Sequence, residues 1–240
     1  GYFVRMMDRL SHTTKRIGYA VDILGHGHHL GQDIKGASVN DYILDVAHFL
    51  RRVVIKKHGV LPIIVGHSMG GLITLALAAR GYAERAVLIT PAPPRGIEYR
   101  VGRMFIPTLA DMQNLALMWF GVPFRPSRQL IAQMFVDPDK DANLIDEITR
   151  DFVTRESYKV INELWTSAIE VDPRAVKVPI LVIVAERDSV VHPSVARKIA
   201  EVYGAERRTL ENLGHLCPFE NGWDETAEIV REWISTRRPS

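Results

Sequence analysis

Leu61-Pro62-Ile63-Ile64-Val65-Gly66-His67-Ser68-Met69-Gly70-Gly71 decides the reading of this chain. A continuous apolar run meets a small-residue turn at Gly66, and an apolar helix, Met69 to Ala79, begins at once. Apolar runs of this kind mark strands buried on both faces of a parallel sheet. The turn itself reads G-x-S-x-G, and a strand before with a helix after is the setting that motif requires. A serine on such a turn takes unfavourable backbone angles, and the residues two before and two after it must approach closely. The turn lifts the Ser68 hydroxyl to the carboxyl edge of the sheet. The amide of Met69, at the start of the helix, points where an oxyanion would form.

Outward from this turn, strand and helix alternate. Apolar runs predict strands at Ala86–Ile89 and Pro179–Val184, and Arg207–Leu210 reads as a weak strand. Tyr19–Ile23 reads as a short strand before the turn Gly25-His26-Gly27. Helical spacing predicts helices at Tyr2–Thr14, at Tyr42–Val53 behind the N-cap Ser38 with Asp41 three residues on, at Ser194–Val202 and at Thr226–Ile234. Such alternation implies an α/β domain with a mostly parallel sheet flanked by helices. Between Pro91 and Asp172 no strand-like run of comparable strength appears. The stretch carries helical patterns at Leu109–Phe120, Arg128–Phe135, Asn143–Phe152 and Ser157–Ile169. The division expected is a core of residues 1–90 and 173–240, with 91–172 a helical cap over the sheet's active edge. The cap's apolar run, Met112, Leu115, Leu117, Met118, Trp119, Phe120, Val122 and Phe124, is expected mainly to pack between cap helices, with some side chains lining an acyl pocket.

A serine hydroxyl needs a base, and the base needs an orienting acid. Asp188 lies just past the strongest strand, where catalytic groups of parallel sheets collect. Glu186 and Asp172 compete with it, and an aspartate there could also serve as a turn cap. His215, in Leu213-Gly214-His215-Leu216, is the base candidate, in a loop before the closing helix. Glu220 is placed to steady that loop. The chain order Ser68, Asp188, His215 is the one expected of α/β-hydrolases.

The sequence resembles capped members of the α/β-hydrolase superfamily, near the esterase, lysophospholipase and monoacylglycerol-lipase-like branches. Asp22-Ile23-Leu24-Gly25-His26-Gly27 is similar to the D-x-x-G-H-G turn after that family's fourth strand. Gly66 to Gly71 matches its nucleophile turn, Pro179 to Asp188 its strand and acid, and Gly214-His215 its catalytic G-H. The resemblance implies an α/β-hydrolase fold, a triad of Ser68, His215 and Asp188, and one oxyanion donor at the Met69 amide. It also implies a small-molecule ester substrate, with neither a metal nor an organic cofactor; the large apolar side chains of the cap favour hydrophobic acyl or aromatic groups in that substrate. Lactone, thioester or carbon–carbon bond hydrolysis, acyl transfer, and a ligand receptor with vestigial hydrolysis share the same triad. The family's second oxyanion donor, on a loop marked His-Gly, has no match here, and its third strand belongs between the fourth and fifth. The expectation is therefore an N-terminal segment preceding residue 1, or a gap in the sheet closed in another way.

Composition narrows the classes. Of 240 residues 47% are hydrophobic and 24% charged, which excludes disorder. Lys+Arg 30 against Asp+Glu 28, with dispersed signs, gives no electrostatic footprint for nucleic acid. No apolar run reaches the length of a bilayer span. One cysteine, Cys217, cannot form an internal disulfide, which points to a reducing compartment, the cytoplasm. His26, His28 and His29 cluster, but without acidic or cysteine partners at a recognised metal spacing.

Overall fold

The computed structural model describes residues 3–102, 104, 106–118, 120, 122–135, 144–146, 148 and 155–236. Four strands, β1 (Ile63–His67), β2 (Arg85–Ile89), β3 (Ile180–Ala185) and β4 (Glu206–Leu210), form one sheet in the order β1-β2-β3-β4. All three pairings are parallel. Side chains alternate between the two faces of each strand, and here both faces are apolar. Ala86 and Leu88 of β2, with Ile180, Val182 and Val184 of β3, face one core; Val87, Ile89, Leu181, Ile183 and Ala185 face the other.

Helices α2 (Val39–Phe49), α3 (Met69–Ala79) and α7 (Pro193–Val202) cover the first face. Helices α1 (Phe3–Thr14) and α8 (Trp223–Ser235) cover the second, where Met6 packs with Trp223 and Val230. The capping box at Ser38 forms in both directions with Asp41. After Phe49 the helix continues through a π-helical turn, Leu50–Ile55. Buried Arg85 donates to the carbonyls of Trp233, Ile234 and Thr236, satisfying the C-terminal end of α8.

Tyr19–Ile23 is not a strand. A strand exists through its ladder of hydrogen bonds to a neighbour, and among the described residues none pairs with this segment. Tyr19, Ile23 and Leu24 still pack on the core. Among the described residues β1 stands at one end of the hydrogen-bonded order and β4 at the other.

Between β2 and β3 lie α4 (Leu109–Met118), α5 (Arg128–Phe135) and α6 (Tyr158–Trp165). Of the helix expected at 143–152, Leu144–Asp146 and Ile148 are helical and the rest lies outside the described residues, as do Tyr2 and Trp119. The only extended pairing described there is an isolated antiparallel bridge between Phe124 and Glu156. The apolar run that begins in α4 and continues past it does not pack as expected: Met112, Leu115, Leu117, Phe120 and Val122 are exposed, and Phe124 is buried. The inward position of α4 belongs to Asp111, fully buried, which accepts from the amides and hydroxyls of Thr108 and Ser127. A polar box, not an apolar stripe, anchors this helix. Among the described residues no helix is long and apolar enough to cross a membrane.

Candidate active site

Ser68 stands between β1 and α3 with φ 53° and ψ −120°, a conformation that costs an L residue free energy and persists only where its surroundings enforce it. They do so here through hydrogen bonds. Its N–H donates to the Ile89 carbonyl, and its own carbonyl accepts from Gly71 and Ala92. The close approach falls on Gly66, whose added Cβ would come 2.1 Å from the Gly70 carbonyl oxygen and 2.3 Å from Thr74 Oγ1. At Gly71 a Cβ would come 2.8 Å from Pro91, whereas at Gly70 it would meet open space. Met69 is the first residue of α3, so its N–H has no acceptor within the helix and is available to a ligand.

The structure brings Ser68, His215 and Asp188 together. His215 Nε2 lies 3.0 Å from Ser68 Oγ, and His215 Nδ1 lies 2.8 Å from Asp188 Oδ2. A carboxylate only accepts, so Nδ1 carries a proton and Nε2 is left free to take one. The other oxygen, Oδ1, accepts from the amides of Val190 and Val191, each at 2.8 Å. Asp188 thus caps its own turn and orients the imidazole at once. His215 and Asp188 are almost wholly shielded from solvent. Glu220 accepts from the Gly214 amide at 2.6 Å and steadies the loop as expected.

The competing residues go elsewhere. Glu186 pairs with Arg197, and Asp172 caps the turn Pro173–Ala175 and pairs with Arg174. His192 caps α7 by accepting from the Ser194 amide. Cys217 is buried, and burial pushes its thiol well up, so it packs as an apolar residue. The local histidines diverge: His28 bonds Asp22, while His26 turns to the Leu24 carbonyl and to Glu156.

Several contacts around the site had no sequence signal. The segment after β2 crosses the acid loop so closely that a Cβ on Gly102 would come 1.8 Å from the Asp188 carbonyl oxygen. Tyr99 donates to the Val190 carbonyl and Ser189 to that of Met134 on α5. The Phe135 ring lies 5.8 Å from that of His215. Ile131 and Phe135 pack with Leu216 and Phe219 of the histidine loop. Thr90, just past β2, holds a second strained backbone with φ 41°. His67 also reaches the histidine loop, through the His215 carbonyl.

Solved structures share this fold. A monoacylglycerol lipase of Paleococcus ferrophilus is 18% identical with a TM-score of 0.68, over 97% of this chain and 88% of that one. An enol-lactonase of Burkholderia xenovorans LB400 is 19% identical with a TM-score of 0.70, over 98% and 86%. A methylesterase from Arabidopsis is 17% identical with a TM-score of 0.68, over 97% and 93%. At these identities the likeness is one of fold, the α/β-hydrolase fold. No curated protein matches the chain. The family model described as serine aminopeptidase, S33, matches residues 3–221, and the chain belongs to that family of α/β-hydrolases.

Proposed function

We propose that the protein is a serine hydrolase that cleaves carboxylic esters with hydrophobic acyl or aromatic groups through an acyl-enzyme. The observation that carries this reading is the hydrogen-bonded line from Ser68 Oγ through His215 to Asp188. Ser68 Oγ attacks the ester carbonyl carbon as its proton passes to His215 Nε2, and Asp188 steadies the imidazolium. The Met69 amide donates to the tetrahedral oxyanion. Collapse breaks the carbon–oxygen bond, and the leaving alkoxide takes the proton from Nε2. Water then attacks the acyl carbon and gives its proton to His215. The acid departs as the proton returns to Ser68.

In this reading residues 91–172 act as a cap, and 1–90 with 173–240 as the core. Helix α5 supports that division, since Met134 and Phe135 contact the acid loop and the His215 ring. Ile131 and Phe135 would then give the acyl side an apolar wall. The buried thiol of Cys217 fits a reducing compartment, and we place the protein in the cytoplasm.

The family description favours a second reading, cleavage of an amino-terminal residue. That chemistry calls for a carboxylate to receive the substrate ammonium. Among the described residues from 98 to 170 each carboxylate is already committed. Glu98 pairs with Arg100, Asp146 with Arg128 and Glu170 with Arg95. Asp111 is held by Thr108 and Ser127, Glu156 by Tyr42, and Glu163 by the Val39 amide.

Initial rates on p-nitrophenyl esters of increasing chain length, beside amino-acid p-nitroanilides, test the choice. The expected outcome is ester turnover that exceeds anilide turnover and falls by about 10³-fold or more in Ser68→Ala. Faster anilide cleavage would favour the aminopeptidase reading, and binding without turnover the receptor. Full activity in Ser68→Ala would overturn the mechanism.

A further inference from the structure

His67 occupies the variable position of the nucleophile turn, between Gly66 and Ser68. Its Nε2 lies 2.7 Å from the main-chain carbonyl oxygen of His215. A carbonyl only accepts, so this nitrogen carries the proton. The Thr90 hydroxyl donates to the same oxygen at 3.4 Å. The His67 ring lies tilted against that of His215 at 4.8 Å and edge-on to Phe219 at 5.5 Å. Burial first, then the neighbouring His215, lowers His67 to about 3, so it stays neutral and keeps one N–H at ordinary pH.

These contacts close a ring. Ser68 and His67 are adjacent in the chain, and each holds His215, the first by its imidazole and the second by its main chain. The two anchors are not equivalent through the reaction. Once Ser68 is acylated, its oxygen is an ester oxygen and has no proton to donate to Nε2. The base must then hold its place for the incoming water with one ring anchor fewer.

We propose that His67 is a positioning residue for the deacylation half of the reaction, its Nε2–H keeping the main chain of His215 in register while Ser68 carries the acyl group. The inference rests on the reading of Ser68 as nucleophile and His215 as base. It assigns the side chain in the turn's variable position a role that the motif leaves open. A reacting group displaced by about 1 Å can lose on the order of 100-fold in rate. Losing this anchor should therefore slow deacylation more than acylation.

Pre-steady-state kinetics on p-nitrophenyl butyrate separate the steps. His67→Phe keeps an aromatic ring against Phe219 and removes the donor; His67→Gln returns an N–H at similar reach. In His67→Phe, kcat is expected to fall by about 10- to 100-fold. Its kcat/KM should change by less than about 3-fold, with a burst of p-nitrophenol near one per active site. His67→Gln should restore kcat to within about 3-fold of the wild type. Equal losses in kcat and kcat/KM without a burst, no loss at all, or a His67→Gln as impaired as His67→Phe would each overturn the assignment. ¹⁵N-histidine NMR of the unaltered protein gives a check that needs no folded variant. His67 should remain a neutral Nε2–H tautomer from pH 5 to 9, and an Nδ1–H tautomer or a titration in that range contradicts it. Absence of turnover and of any Ser68 adduct in the unaltered protein would instead defeat the ester-hydrolase reading, and this assignment with it.

Discussion

Gly66 and Gly70 flank Ser68 symmetrically in the sequence but not in space. A Cβ at Gly66 would strike the Gly70 carbonyl and Thr74, whereas one at Gly70 would project into open space. Gly66→Ala is therefore expected to cost about 3 kcal/mol by overpacking. Gly70→Ala should leave stability unchanged or raise it by about 0.5–1 kcal/mol, as alanine does inside helices. Denaturant melts of the two variants check this, and equal losses would contradict it. The motif named Ser68 because a strand, a turn and a helix abut there, all within a short window. Nothing in that window separates the two glycines or gives His67 a partner. Those roles are set by Thr74, Pro91 and His215, which reach the turn only after the sheet has formed. Asp188 was legible for a different reason: it lies just past the carboxyl end of a buried parallel strand, where catalytic groups of such sheets collect.

The strands that the apolar runs revealed are those with a parallel neighbour. Val87 and Val182 are buried because a strand lies beside each and a helix covers each face. Tyr19–Ile23 has the composition of a strand without the neighbour, and composition alone makes no ladder. Helix α4 shows the converse. Its apolar residues had the look of core, yet the buried position went to Asp111, whose four acceptor contacts with Thr108 and Ser127 no periodicity displays. Between elements, the turn at His26 meets Glu156 of the segment between β2 and β3. His26 Nδ1 lies 2.9 Å from the Leu24 carbonyl and Nε2 lies 3.5 Å from Glu156. Both partners only accept, so the imidazole satisfies both as the cation. Burial alone would lower its pKa, but Glu156 and the Leu24 carbonyl outweigh burial and raise it above 6.5. The contribution is therefore complete below that value and lost as the pH rises through the raised folded value. Thermal melts should show the wild type exceeding His26→Gln in stability more at pH 5.5 than at pH 8.5, by about 1 kcal/mol at most. A gap that widens toward alkaline pH would contradict the pairing.

At the scale of the molecule, two apolar cores sandwich four parallel strands, and the polar chemistry gathers where the strands end. β1 delivers Ser68, the loop after β3 delivers Asp188, and the loop after β4 delivers His215. The side chains lie at positions 68, 188 and 215 of a chain that brings them within hydrogen-bond reach because those strands run in the same direction. The segment between β2 and β3 then binds both loops, through Gly102 and Tyr99 at the acid and through Phe135 at the histidine. On the proposed function, this arrangement makes Ser68 the nucleophile. Reaction with a fluorophosphonate, followed by intact-mass and peptide mapping, identifies the nucleophile. The expected result is a single adduct on Ser68 that disappears in Ser68→Ala. An adduct on another residue, or labelling of Ser68→Ala at the wild-type rate, would contradict it.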